Sequence, residues 1–177
     1  MKTLFCLLAV TLLRIFPLGQ DSSLIEWNAE RKLNWNDFKA APDPGSPNAA
    51  LTYSIIKYDF SYNETDGLLF HIHCEFDKNI SWGKTKTDYI LSHEQGHFDI
   101  TEIFARKLNK AFKEYKPASN VKKDVNKIYL DTMHQLGDRQ SQYDKETNSS
   151  INIAEQERWL KKIKDELKEL EGFANYH

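Results

Sequence analysis

The stretch His93-Glu94-Gln95-Gly96-His97 constrains the fold more than any other, because it lies inside a long helical pattern. Apolar residues recur at steps of three and four from Ile90 onward, and Pro117 closes the pattern. The two histidines fall on the same stripe as the apolar residues, so the helix has to bury them. We therefore predict one long helix with two imidazoles facing the core.

Two buried histidines one helical turn apart need a common polar partner, and a metal ion is the simplest one. The motif reads HExxH, in which zinc hydrolases use both histidines as ligands and the glutamate as a base. The sequence therefore predicts His93 and His97 as zinc ligands and Glu94 as the general base. The alternative is a helix whose two histidines are ordinary polar residues.

A catalytic zinc site needs a third protein ligand, which the motif does not supply. The longer pattern HExxHxxGxxH is absent, because Ile100 and Ile103 occupy its glycine and last histidine positions. Glu102 is one candidate, although it lies about 140° around the helix from His97. His134 is another, and its alternative role is that of a solvated side chain. The C-terminal third of the chain is the favoured source of the ligand.

The first twenty residues differ from the rest of the chain. A positive charge at Lys2 precedes the apolar run 4–13, and the breakers Pro17 and Gly19 follow it. This pattern predicts a signal peptide over residues 1–20, a single domain over 21–177 and a secreted or periplasmic location. A retained anchor is the alternative, since Arg14 interrupts the apolar run.

Composition limits the partners. A chain of 177 residues with 40% hydrophobic residues suits one globular domain, and a net charge of -2 offers no basic surface for nucleic acid. We expect a peptide or protein substrate, no nucleic acid, and no stable membrane span once the leader is removed. Cys74 would then be the only cysteine, which excludes an internal disulfide.

Two segments before the motif alternate with period two, which predicts a β-hairpin over 56–62 and 68–76 with a turn at Asn63–Gly67. His71, His73 and Glu75 share its outer face, where a solvated surface is favoured over a metal site. Two helical patterns follow the motif helix. Ser119 is the predicted cap of one, and Asn152 is the predicted cap of the other.

These elements predict an α+β domain of zincin type. A hairpin or small antiparallel sheet packs on the motif helix and on two C-terminal helices, with zinc held between them. The order of several short motifs also resembles a bacterial family of secreted proteins, domain of unknown function 922, regarded as zinc-dependent proteases. The motifs that carry the resemblance are Trp35-x-x-Phe38, Ala49-Ala-Leu-Thr-Tyr53, Ser81-Trp82, His93-Glu-Gln-Gly-His-Phe-Asp99, Tyr143-Asp-x-x-Thr147 and Gln156-x-x-Trp159. The resemblance implies a secreted zinc peptidase.

The chain departs from the family pattern at one place. The family pattern that the chain resembles has x-His-Gly or a close variant after Tyr-Asp-x-x-Thr, and here the residues are Asn148-Ser149-Ser150. If that histidine is the third ligand, Ser149 is a poor replacement, and Asp144 or His134 would have to substitute. Tyr143 is a candidate oxyanion stabiliser, with a core aromatic as the alternative. The rival functions are a degenerate peptidase scaffold that binds without catalysis, and a zinc amidase acting on cell-wall material.

Overall fold

The computed structural model describes residues 22–176, which form an α+β fold with a small antiparallel sheet and three long helices. This confirms the predicted α+β class, whereas the zincin type of packing stays a prediction. The predicted signal peptide over residues 1–20 lies outside the described residues. The elements are β1 (Leu24–Glu26), β2 (Ala50–Leu51), β3 (Ser54–Asn63), β4 (Gly67–Asp77), β5 (Trp82–Gly83), α1 (Asp88–Glu114), α2 (Val121–Thr147) and α3 (Ile153–Glu169).

The predicted hairpin forms the main body of the larger sheet. Strands β3 and β4 pair antiparallel along their whole length, and β1 joins the other edge of β4 in the order β1-β4-β3. The turn requires a positive φ of 74° at Gly67, which glycine adopts without steric cost. The inner face carries Ile72, Cys74 and Phe76, none more than 1% exposed, and they belong to the same core cluster as the apolar residues of α1.

A second, two-stranded sheet is not predicted by the sequence pattern. Strand β2 pairs antiparallel with β5, so that Ala50 lies opposite Gly83. Each strand has only two residues, which is too short for an alternating pattern. Trp35 packs on Gly83, where an added Cβ would lie 2.6 Å from the indole ring. This small sheet holds the segment before β3 beside α1, where the Thr52 hydroxyl donates to the carbonyl oxygen of Glu94 at 3.2 Å.

The motif helix has the predicted extent within a few residues. Helix α1 begins after Thr87, whose side chain accepts a hydrogen bond from the Ile90 N–H, and it ends ahead of Pro117. The apolar stripe faces the hairpin on one side and the two later helices on the other. His93 is 3% exposed, so the stripe carries polar groups into the interior.

The two C-terminal helices differ from the prediction at one end. Asn120 caps α2 by accepting a hydrogen bond from the N–H three residues later, so the prediction of Ser119 as the cap is wrong. Helix α2 continues through Gly137 to Thr147. The predicted cap of α3 at Asn152 is confirmed. Over residues 22–176 none of the helices combines the length and the apolar character that a membrane crossing requires.

A buried ion pair ties the C-terminal half of α1 to the end of the chain. Arg106 Nε donates to Glu102 at 2.8 Å, and Arg106 also donates to the carbonyl oxygen of Leu167 at 2.6 Å. The Tyr176 hydroxyl donates to the other oxygen of Glu102. Burial raises the pKa of Glu102, and the bonds from Tyr176 and Arg106 oppose that shift. The network fixes α3 and the chain end against α1.

We expect Arg106→Met to lower the free energy of unfolding by about 3–5 kcal/mol, because it leaves the buried Glu102 without its cation. Urea denaturation measures this change. The matched control is Lys127→Met, which breaks an exposed i,i+4 pair with Asp131 and should cost less than about 1 kcal/mol. Equal losses of unfolding free energy in the two variants would contradict a stabilising role for the buried Glu102–Arg106 pair.

Candidate metal centre

Two imidazoles meet on one face of α1. His93 and His97 are four residues apart, and their Nε2 atoms lie 3.2 Å from each other. The His93 side chain is 3% exposed and that of His97 is 13% exposed, so both rings are largely withdrawn from water. The arrangement follows from the helical repeat, which places i and i+4 side chains one above the other.

Helix α2 adds a carboxylate to the pair. The Oδ1 atom of Asp144 lies 3.2 Å from His93 Nε2 and 3.0 Å from His97 Nε2. Asp144 is 44% exposed and therefore forms the solvent side of the cluster. The described residues thus offer one ligand atom each from His93, His97 and Asp144, and this group could hold a metal ion.

The spacing of these atoms suits a small cation. Tetrahedral zinc with bonds of about 2.0–2.1 Å places its ligand atoms about 3.3 Å apart. The three observed separations are 3.0, 3.2 and 3.2 Å. Two imidazole nitrogens with one carboxylate oxygen are also a donor set that zinc accepts. The residues present therefore fit zinc.

Gln140 fixes the tautomer of His97. Its Nε2 donates to the backbone oxygen of His97 at 2.9 Å and to Thr101 at 3.2 Å, so its Oε1 faces His97 Nδ1 at 2.6 Å. A carbonyl oxygen can only accept, so Nδ1 carries the proton and the neutral ring presents a lone pair at Nε2. That lone pair points at the Asp144 carboxylate, and the contact needs a positive charge, from a proton or from a metal ion.

His93 lacks a matching partner. Its Nδ1 atom is buried, and within residues 22–176 nothing forms a hydrogen bond with it. Packing holds this ring instead, because the His93 and Tyr143 rings stack with centroids 4.5 Å apart and an interplanar angle of 20°.

The electrostatics of the cluster favour an ionised carboxylate. Burial works to raise the pKa of Asp144, but its contacts with His93 and His97 hold that pKa well below the usual range. Burial lowers the pKa of His97, while Asp144 and Glu94 outweigh burial and leave it above its usual value. An ionised Asp144 between the two imidazoles therefore favours a positive charge at the cluster, carried by a proton on His97 or by a metal ion.

Tyr143 packs behind the cluster and does not line the cleft. It is fully buried, and its hydroxyl lies 3.4 Å from the backbone oxygen of His93. Gly96 makes room for it, since an added Cβ would lie 2.5 Å from the hydroxyl oxygen. Burial raises the pKa of Tyr143 strongly. The hydroxyl thus sits against backbone, a position that supports the core role over the oxyanion role.

The cluster opens into a cleft of about 350 Å³. Glu94, 4% exposed, lines this cleft beside the two histidines. The opposite wall consists of the extended segment 48–54, and α2 contributes the third side through Gln140 and Asp144. A ligand in the cleft would reach the ligand atoms and the Glu94 side chain together.

The structure does not bring the other two ligand candidates to the cluster. Glu102 is engaged with Arg106 and Tyr176 in the buried network. His134 is 80% exposed and lies 3.2 Å from Asp138 on the outside of α2. Of the three candidates for the third ligand, Asp144 is the one whose carboxylate meets both imidazoles.

A second group of potential ligands lies on the outer face of the hairpin. Strand β1 adds Glu26 to His73 and Glu75, and their ligand atoms lie within 4.8 Å of one another. His73 is already paired with Glu26 at 2.7 Å, and Glu75 with Lys57 at 2.6 Å. Cross-strand ion pairs account for these charges, although the Glu75 side chain is only 13% exposed and the face is thus less solvated than predicted.

Sequence reasoning missed Gln140 as a functional residue. A signal was present, because Gln140 and Asp144 are four residues apart on one helix, as His93 and His97 are on another. Two i,i+4 polar pairs on separate helices can face each other only if the helices pack with those faces together. The helical patterns alone did not specify that rotation.

One part of the chain matches a known protein family. Residues 75–150 match a family model described as "Bacterial protein of unknown function (DUF922)". The match covers less than half of the chain, yet it includes the motif helix and the whole of α2. The description states no activity. No curated protein and no solved structure matches the chain.

We expect Gln140→Met to weaken zinc binding by about 10- to 100-fold, because His97 loses the acceptor that fixes its tautomer. Competition with a zinc-binding dye measures the dissociation constant. The matched control is Gln142→Met on the exposed side of the same helix, which should leave the affinity unchanged. Gln140→Glu keeps an acceptor and should restore part of the affinity. Equal affinities in all four proteins would contradict the assignment.

Proposed function

We propose that the chain is a secreted zinc-dependent peptidase, with His93, His97 and Asp144 as the metal ligands and Glu94 as the general base. One observation carries the proposal: the three ligand atoms converge at 3.0–3.2 Å on the floor of an open cleft. Structural zinc sites are closed by four protein ligands, whereas catalytic sites keep an open position. Three ligands beneath a cleft fit the catalytic pattern.

The residues divide the chemistry between them. Zinc in such a site acts as a Lewis acid and brings the pKa of water to near neutrality. Glu94, next to His93 on α1, takes a proton from the attacking water as the water oxygen bonds to the scissile carbonyl carbon. Glu94 then delivers that proton to the leaving amine nitrogen as the C–N bond breaks. Burial of Glu94 keeps the exchange out of bulk water.

The wall opposite the ligands suits an extended peptide. The backbone groups of Ala49 and Tyr53 point to the β5 side, where they bond with residues that flank β5. Successive residues of a strand point their backbone groups to alternate edges, so those of Ala50 and Thr52 face away from β5. In the described part of the chain no strand covers that edge of β2. A substrate chain can therefore add to it by main-chain hydrogen bonds.

The sequence supports a proposed location outside the cytoplasm and a peptide or protein as substrate. The leader pattern over residues 1–20 supports export, and the small net charge gives no support for nucleic acid as a ligand. We propose a peptide or protein substrate that is met outside the cytoplasm, with no stable membrane span in the mature chain.

The second candidate function is a degenerate scaffold that binds metal or peptide without hydrolysis. Ser149 favours it, because this serine stands where the resemblance to the bacterial family implies a histidine. Ser149 lines the cleft, and a neutral hydroxyl is a poor zinc ligand. Against this candidate, Asp144 offers a third ligand atom beside the two imidazoles in place of that histidine. A zinc amidase shares this chemistry and differs from a peptidase only in substrate.

We expect Glu94→Gln to keep one zinc per chain and to lower hydrolysis of an unfolded protein by at least about 100-fold, because the amide cannot accept the proton. Release of fluorescent fragments from labelled casein measures the rate, and elemental analysis measures zinc. Glu157→Gln, an exposed change on α3, is the control and should retain full activity.

The outcomes separate the candidates. Equal rates in wild type and Glu94→Gln would refute the assigned base. Zinc binding without hydrolysis of casein or of cell-wall amides would favour the degenerate scaffold, and release of cell-wall fragments alone would favour the amidase.

A further inference from the structure

A second cavity of about 290 Å³ adjoins the metal cleft. The two share Asn48, Ala49, Ser149 and Ser150 as lining residues, so they lie side by side. We call the second cavity the side pocket. Its other lining residues are Pro47, Thr87, Tyr89, Ile90 and Ile151.

Among the described residues that line the side pocket, the Tyr89 phenol is the only ionisable group. A charged group entering it would lose hydration and find no counter-charge, which is unfavourable. An apolar group would instead bury carbon surface against Pro47, Ile90 and Ile151. The lining therefore selects against charge and in favour of aliphatic or aromatic groups.

An unusual backbone forms one rim of the side pocket. Asn148, Ser149 and Ser150 adopt φ values of 49°, 47° and 72°, a left-handed conformation that is unfavourable for residues other than glycine. Two hydrogen bonds close the turn, from Ser149 N to Asp144 O and from Asn152 N to Thr147 O, both 2.8 Å. Strain of this kind persists where the surrounding structure imposes it, often at ligand sites.

The strained turn presents Ile151 at the edge of the side pocket. This side chain is 74% exposed, although isoleucine is among the residues most often buried. The turn begins directly after α2, which carries Asp144 one helical turn earlier. Residues 148–151 thus connect the helix that carries Asp144 to the exposed side chain of Ile151.

We propose that the side pocket binds a bulky apolar side chain of an extended peptide whose scissile bond lies over His93, His97 and Asp144. This inference rests on the proposed peptidase function and names its substrate class: unfolded segments with leucine, isoleucine or phenylalanine beside the cleaved bond. An extended chain along segment 48–52 passes both cavities, because residues 48 and 49 line both. Cavities of about 300 Å³ are large enough to hold small ligands, so such a side chain fits.

The test compares two exposed isoleucines of which only one lines the side pocket. Ile151→Asp puts a carboxylate at the rim, whereas Ile153→Asp changes a residue that is 60% exposed and absent from the lining. Mass spectrometry of casein fragments gives the cleavage sites of each zinc-loaded protein. We expect wild type and Ile153→Asp to cut beside apolar residues, and Ile151→Asp to lose at least tenfold in rate at those sites. Equal cleavage profiles in all three proteins would overturn the proposal.

A peptide-binding experiment distinguishes failure of this inference from failure of the proposed peptidase function. Two fluorescent peptides that differ in one central residue, leucine or glutamate, are titrated into zinc-loaded Glu94→Gln protein with and without Ile151→Asp. We expect at least tenfold tighter binding of the leucine peptide, and loss of that preference on Ile151→Asp. Preference without hydrolysis by wild type would refute the peptidase alone. Hydrolysis without preference would refute the side pocket alone.

A second copy of the chain is the alternative partner for the exposed Ile151 side chain. Sedimentation velocity of wild type and Ile151→Asp tests it. A dimer that Ile151→Asp converts to monomer, with the peptide preference unchanged, would overturn the proposal. Thermal melts show whether each variant is folded.

Discussion

The contact between Gly96 of α1 and Tyr143 of α2 is the constraint on which the rest of the site depends. An added Cβ at position 96 would lie 2.5 Å from the Tyr143 hydroxyl, so only glycine allows the helices to approach this closely. Asp144 follows Tyr143, and the same approach brings its carboxylate to 3.0 Å from His97 and 3.2 Å from His93. Packing thus sets the distances between the ligand atoms before any metal arrives.

The two ends of α1 perform different tasks. The C-terminal half is held by the buried pair of Glu102 and Arg106, whose charges satisfy each other and the chain end. The N-terminal half carries the cluster of His93, His97 and Asp144, in which the carboxylate lies against both imidazoles and the contact with His97 needs a proton or a metal ion between the two groups. A rigid helix anchored at one end can hold such a group of acceptors together for a cation at the other.

Features that depend on one helix or one hairpin could be predicted from the sequence. The spacing of His93 and His97 and the alternation around Gly67 are local, and both elements have the predicted form. Whether Asp144 reaches the two histidines depends on how α2 is rotated against α1. The sequence therefore left Asp144, Glu102 and His134 as alternative candidates for the third ligand. Strands β2 and β5 have two residues each, which is too short to show an alternating pattern in the sequence. The position of Asp144 and the pairing of β2 with β5 depend on tertiary contacts, which local sequence patterns do not specify.

X-ray absorption at the zinc edge tests the central claim most directly, because it reads the ligands of the bound ion. For the zinc-loaded protein we expect two imidazole ligands and one or two further oxygen ligands at about 2.0–2.1 Å. In the Asp144→Ala protein one oxygen ligand should be lost or replaced by water, with weaker binding. A zinc shell without two imidazoles, or a shell and affinity unchanged by Asp144→Ala, would contradict the assignment of His93, His97 and Asp144 as one metal centre.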